Sequence, residues 1–281
     1  MHITSNFTNP YFLALGQYFQ SIDNFCKVEL NKKLITSERD YLSVFSFLIR
    51  NPHGLIGIAP YTCISYTLPQ NMEKKFGADV IIVLRLNATE VKIIFIEGKL
   101  IRPGFYWDKY QGQSLKNKSH FFSQLERQST FRNSGVVFLE MFMHKFLNQT
   151  TSGSLPYPSH IHCSDVIDLD RALSLSAGFN RVKPWKKTEY VTLIQNSNNI
   201  GHYISLIARC GLGNRLEVNN NLVSITDTNQ QQHEIPVMSG ETPANEEHRY
   251  ANTILTFMQN NGLGHYLYFD ISQNTIVTVT R

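Results

Sequence analysis

The chain has 281 residues, 42% hydrophobic and 17% charged, which describes a globular protein able to bury a sizeable core and argues against a disordered one. A net charge of +4 and a pI near 8.8 suit a polyanionic partner without establishing one. Four scattered cysteines with no CxxC pairing argue against a disulfide framework and a zinc ribbon. The start MHITSNFTNP has no signal-peptide pattern and no apolar run is long enough to span a membrane, so a cytoplasmic protein with no membrane partner is expected.

Tyr11, Leu15, Tyr18 and Ile22 recur at helical spacing, which predicts an amphipathic helix over residues 10–24. Ser37 and Asp40 have the form of a capping box. Tyr41, Val44, Phe45, Leu48 and Ile49 then line the apolar face of a second helix, up to Asn51-Pro52. Residues 54–68 read as a strand interrupted by Pro60, at an edge or bend. GADVIIVLRLNATEVKIIFIEGK (77–99) reads as two strands joined by a short polar turn. VIIVLRL is almost continuously apolar, as in a strand covered on both faces, and Val91, Ile93, Phe95, Glu97 and Lys99 share one face by alternation. Residues 102–118 form an aromatic and basic loop, Ser119 is the N-cap of the helix HFFSQLERQSTFR, and 135–146 suits a strand.

NQTTSGSLPYPS (148–159) reads as a linker. Beyond it, 165–175 reads as a helix and 190–195, 203–210 and 215–226 as strands. Residues 246–261 read as a helix ending near Gly262, and 265–271 with 275–280 as a closing hairpin. The expected fold class is α+β with an α/β core: a central mixed β-sheet flanked by helices in the order αβββαβ, then a C-terminal α+β extension. Residues 1–147 would form the core with its N-terminal helices. Residues 148–281 would form a second region, for target recognition or dimerisation.

The chemistry concentrates on the central strand pair. Asp79 opens one apolar run, and Glu97 and Lys99 close the other. Charges that continue a buried face are costly unless paired or bound to a metal. Gly98 between them lets another group approach the backbone closely. Two carboxylates and an ammonium at the rim of a sheet are what a divalent-metal phosphodiesterase needs. The carboxylates would hold Mg²⁺ or Mn²⁺, and the lysine would stabilise or help deprotonate the attacking water. Pairing Leu86 with Val91 would set Asp79 opposite Gly98, on the wrong face, so the site requires an odd-length loop or a bulge near Asp79.

At these residues, and over roughly 34–146, the chain resembles the PD-(D/E)XK nuclease superfamily of restriction-endonuclease-like fold, with Ala78 where the family label has proline. The resemblance implies Mg²⁺-dependent hydrolysis of DNA phosphodiester bonds, with Asp79 and Glu97 as metal ligands and Lys99 as base or transition-state stabiliser. It also implies a ligand from the helix before the sheet, which Glu38 in LITSERDYLSVF would supply. A glutamine on the helix after Lys99 would orient the lysine, the metal water or a phosphate, and Gln124 and Gln128 stand four apart there.

Arg181-Val-Lys-Pro-Trp-Lys-Lys mixes cations with an indole, so Lys183, Trp185, Lys186 and Lys187 are candidates for nucleic-acid contact. His160-Ile-His162-Cys163 has no second ligand pair of matching spacing and reads as structural. DNA is the first expected partner, with a homodimer as an option. The alternatives are a nuclease-fold binding or scaffolding module without catalysis, and a secreted bacterial effector that reuses the fold.

Overall fold

The computed structural model describes residues 10–50, 62–68, 75–101, 106–108, 118–144, 163–238 and 247–272. In chain order the elements are α1 (Pro10–Asn31), α2 (Glu38–Arg50), β1 (Thr62–Thr67), β2 (Val80–Arg85), β3 (Glu90–Leu100), α3 (His120–Ser129), β4 (Val137–Met143), β5 (Asp165–Asp168), α4 (Leu169–Ser176), α5 (Lys187–Ile194), α6 (Ile200–Ala208), β6 (Leu216–Glu217), β7 (Leu222–Thr226), β8 (Gln232–Pro236), α7 (Glu247–Asn261) and β9 (His265–Asp270). The fold is mixed α+β around one central mixed sheet, ordered β1-β9-β2-β3-β4-β5, with β6 pairing the start of β3.

Alternation along the strands explains the two cores. Val80, Ile82, Leu84, Ile94, Ile96, Leu139 and Met141 turn to one face, under α1, α2 and α6. Ile81, Val83, Phe95, Phe138 and Phe142 turn to the other, under α3, Trp107, Trp185 and the β7–β8 hairpin. Burial on both faces is the reason β2 and β3 are nearly continuous apolar runs. Helices α1 and α6 meet backbone to backbone, because a Cβ on Gly16 or Gly201 would overlap the other's carbonyl oxygen.

Local signals placed several elements. Ser37 Oγ accepts from Asp40 N at 3.1 Å and Asp40 Oδ2 accepts from Ser37 N at 3.2 Å, a reciprocal cap on α2. Helix α1 outruns the expected 10–24 because Cys26 and Leu30 continue its apolar face.

The expected strands at 190–195 and 203–210 are instead helices α5 and α6. Their β-branched and aromatic residues read locally as strand, yet Asn199 caps α6 by accepting from His202 N at 2.9 Å. Ile200, Tyr203, Ile204 and Ile207 bury one helical face. The expected helix at 165–175 splits into β5, added to the edge of β4, and α4, capped by Asp168. The run 215–226 breaks at Asn220 and Asn221, both at positive φ, into β6 and β7.

Strand β9 does not form the expected closing hairpin. It lies between β1, antiparallel, and β2, parallel, so both its edges are occupied. Residues 275–280, like 54–61, most of the 102–118 loop and the 148–159 linker, lie outside the described residues. Because β5, β6 and β9 join the same sheet as β1–β4, a boundary at 147/148 does not divide that sheet.

Candidate metal centre

The register of the central hairpin decides the site. Arg85 pairs with Val91 and Val80 with Ile96. Leu86 N and Asn87 N both donate to Glu90 O, at 2.9 and 3.3 Å, and Asn87 Oδ1 accepts from Thr89 N at 2.9 Å. The loop Asn87–Thr89 thus has the odd length the site requires. It shifts the pairing by one residue from Leu86 opposite Val91, and Asp79 comes alongside Glu97.

Asp79 is held on three sides. Its N–H donates to Ile96 O at 2.8 Å, and its Oδ2 accepts from Gly98 N at 3.0 Å. Its carbonyl accepts from Gly264 N and His265 N, at 2.9 and 3.1 Å, so the entry to β9 clamps this residue.

Gly98 provides the close approach its position suggested. A Cβ there would stand 2.9 Å from Leu42 Cδ1 and 3.0 Å from Met143 Cε. Helix α2 therefore rests directly on β3, and its first turn delivers Glu38, whose Oε2 accepts from Leu100 N at 3.0 Å.

Carboxylate oxygens of Glu38, Asp79 and Glu97 all lie within 4.8 Å of one another. Asp79 and Glu97 are buried and Glu38 is partly exposed, which leaves one side open to solvent. Lys99 Nζ lies 2.5 Å from Glu97 Oε1 and 3.9 Å from Glu38 Oε1. Three hard oxygen donors with no nitrogen or sulfur suit Mg²⁺ or Mn²⁺ over zinc or copper, and one lysine offsets only part of their charge.

The two candidate glutamines part company. Gln124 Nε2 donates to Glu97 Oε1, in the centre itself. Gln128 Nε2 donates to Gly77 O at 2.7 Å and so holds the turn, at positive φ, that leads into Asp79. Among the described residues, the amide oxygens of both are buried without a hydrogen-bond partner.

Three residues at or beside the centre carried no recognised signal. Glu140, fully buried, stands in register with Glu97 across β3–β4, on the same face. A lone carboxylate in VFLEMFM was legible by the reasoning applied to Glu97. Asp108 accepts from Ser119 Oγ and, at 3.0 Å, from Phe121 N. Burial pushes its carboxyl above the usual range, while those hydrogen bonds and the Lys99 charge pull it back. His265 sits against Asp79, with Nδ1 3.2 Å from Thr67 Oγ1 and Nε2 3.5 Å from Ser43 Oγ. Burial lowers its imidazole to about 4 against the pull of Asp79.

Trp185 does not serve as a base-stacking platform. It is 1% exposed, its Nε1 donates to Asn180 O at 2.8 Å, and it packs against Phe121, Phe122 and Phe179. Lys183 and Lys186 are exposed and Lys187 partly so. Cys163 is buried with Sγ donating to Asn24 Oδ1 at 2.6 Å. Burial raises its thiol to about 12, which fits a structural role; His160 and His162 lie outside the described residues.

Compared with known proteins, the chain gives no significant match to a family model, a curated protein or a solved structure. Among the described residues no helix is long and apolar enough to cross a membrane.

Proposed function

We propose that this chain is a Mg²⁺- or Mn²⁺-dependent phosphodiesterase that hydrolyses nucleic acid, DNA foremost, in the manner of the PD-(D/E)XK nucleases. The observation that carries the reading is the convergence of Glu38, Asp79 and Glu97 within 4.8 Å, with the Lys99 ammonium against Glu97. The run α2, β1, β2, β3, α3, β4 supports it, with β9 as an inserted strand between β1 and β2.

Asp79, Glu97 and Glu38 would hold the ion. When bound, it supplies Lewis-acid polarisation of a phosphoryl oxygen and a lowered pKa for water. The protein's part is to fix the donors: the β9 clamp and Gly98 N–H set Asp79, Gln124 and Lys99 set Glu97, and the contact of α2 with Gly98 sets Glu38. Lys99 extends from the strand end as a cation beside these donors, placed to stabilise charge developing on a phosphate.

The test is cleavage of plasmid, single-stranded DNA and RNA with and without Mg²⁺. Wild type should cut at least one substrate only with the ion, and Asp79→Ala and Glu97→Ala should abolish cutting while keeping the fold. Failure to cut all three in Mg²⁺ and Mn²⁺ would sink the reading, and binding without cutting would favour the scaffolding module.

A further inference from the structure

The burial of Trp185 changes what the basic stretch around it can do. The indole pins the turn 179–186 onto the N-terminal half of α3 and forces its neighbours outward: Arg181, Val182, Lys183 and Lys186 are all exposed, Val182 at 65%. Arg181 Cζ lies 5.1 Å from the centroid of the Phe122 ring, and Lys118 Nζ, from just before α3, lies 5.2 Å from the same ring. Two distant stretches of chain thus place cations on one side chain of α3. Lys187 stands at the start of α5 beside them. Two carboxylates are close: Glu126, paired with Lys118, and Glu189, which accepts from Lys186 N at 3.0 Å. A third, Asp108, is buried beneath and takes the Trp185 backbone N–H; among the described residues five cations against three carboxylates leave a net positive strip.

Its position relative to the carboxylates gives it meaning. Phe122 and Gln124 are two residues apart on α3, and Gln124 reaches Glu97. Asp108 joins the strip to the metal centre: its carboxylate takes the backbone N–H of Trp185 and is acted on by the Lys99 charge. The tip itself, an aliphatic residue between two cations, has the chemistry of a groove edge contact, with cations for phosphates and methyl groups for sugar faces.

We propose that Arg181, Lys183 and Lys186, with Lys118, form a phosphate-backbone strip that holds a DNA duplex beside the metal centre, Trp185 serving as the buried peg that presents it. This rests on the nuclease reading for the identity of the polyanion, but its test requires no catalysis.

Binding of a fluorescent 20-base-pair duplex is measured by anisotropy in chelator, across a salt series, for wild type, Arg181→Ala/Lys183→Ala and Lys32→Ala, an exposed cation in the turn after α1. The double variant should bind ~10- to 100-fold more weakly at moderate salt. The slope of log K against log salt should fall by about 2, near 0.9 per lost phosphate contact. Thermal midpoints should be unchanged, and Lys32→Ala should match wild type. An unaltered slope in the double variant, no duplex binding by wild type, or a Lys32→Ala loss equal to that of the double variant would each overturn the strip. So would binding to phosphatidylserine vesicles with none to duplex. Cleavage with an unaltered slope removes the strip alone, and a reduced slope without cleavage removes the enzyme alone.

Discussion

Replacing Asp79 with Asn probes the centre without any assumption about substrate. The Asp79 carboxylate stands no more than 4.8 Å from carboxylate oxygens of Glu38 and Glu97. At an effective dielectric of ~20, each such pair repels by about 3.5 kcal/mol. The Glu38 share must be cut, because its side chain is 32% exposed and solvent screens it. Against the relief stands the lost attraction to Lys99 and a weaker bond from Gly98 N, which the amide oxygen still accepts. The net expectation is a metal-free variant more stable than wild type by about 1–2 kcal/mol. Mg²⁺ at 100 times its Kd should add about 2.7 kcal/mol to wild type and almost nothing to the variant. The order of stability therefore reverses between chelator and saturating Mg²⁺, and urea unfolding in both conditions reads it directly. A variant less stable than wild type in chelator, with an undiminished Mg²⁺ increment, would show that Asp79 is a structural partner of Lys99 and not a ligand.

Further outcomes follow from neighbouring contacts. Gln124→Ala should lower kcat with little change in Tm, because it removes a bond to Glu97. Gln128→Ala should cost about 1 kcal/mol of stability through the orphaned Gly77 carbonyl; full activity and wild-type Tm in both would show that neither bond matters. Gly201→Ala should destabilise by about 3 kcal/mol, read by urea unfolding, since its Cβ meets the Gly16 carbonyl and not a movable side chain. A third set concerns pH. Burial, then Lys27, lowers His144 to about 3, so the fold prefers it neutral. Its stabilisation is full above the unfolded pKa of ~6.5 and is lost as pH falls toward 3, by at most about 1.4 kcal/mol per unit. Burial raises Asp165 to about 6, with the opposite sign: its contribution is full below ~3.8 and is lost as pH rises to 6. Stability of wild type relative to His144→Gln should therefore shrink on acidification from 6.5, and relative to Asp165→Asn it should grow between 6 and 4. Flat differences across these ranges would refute both assignments.

Much was determined by the sequence alone, wherever the signal is local. The capping pair Ser37–Asp40, the apolar spacing of α1 and α2, the two buried runs of the hairpin and the N-cap Ser119 each act within a few residues, and each element formed where those signals stand. The same locality made Asp79, Glu97 and Lys99 legible, because a charge interrupting a buried run demands a partner wherever the run is placed, whereas Glu38 entered only through the family resemblance. The tertiary structure decided the rest. Whether YVTLIQ and YISLIARC became strand or helix turned on what could cover them. Ile204 and Ile207 found α1, while the strand positions beside β2 and β4 went to β9 and β5. The face on which Asp79 lies turned on a single residue of register at Asn87–Thr89. Its backbone clamp comes from Gly264 and His265, far along the chain, and Glu140 meets Glu97 only because β4 runs parallel to β3. Strand pairing joins residues whose separation in sequence carries no trace of their contact; helix caps and apolar periodicity do not depend on such contacts, which is why the capped helices and the apolar hairpin were readable and their neighbours were not.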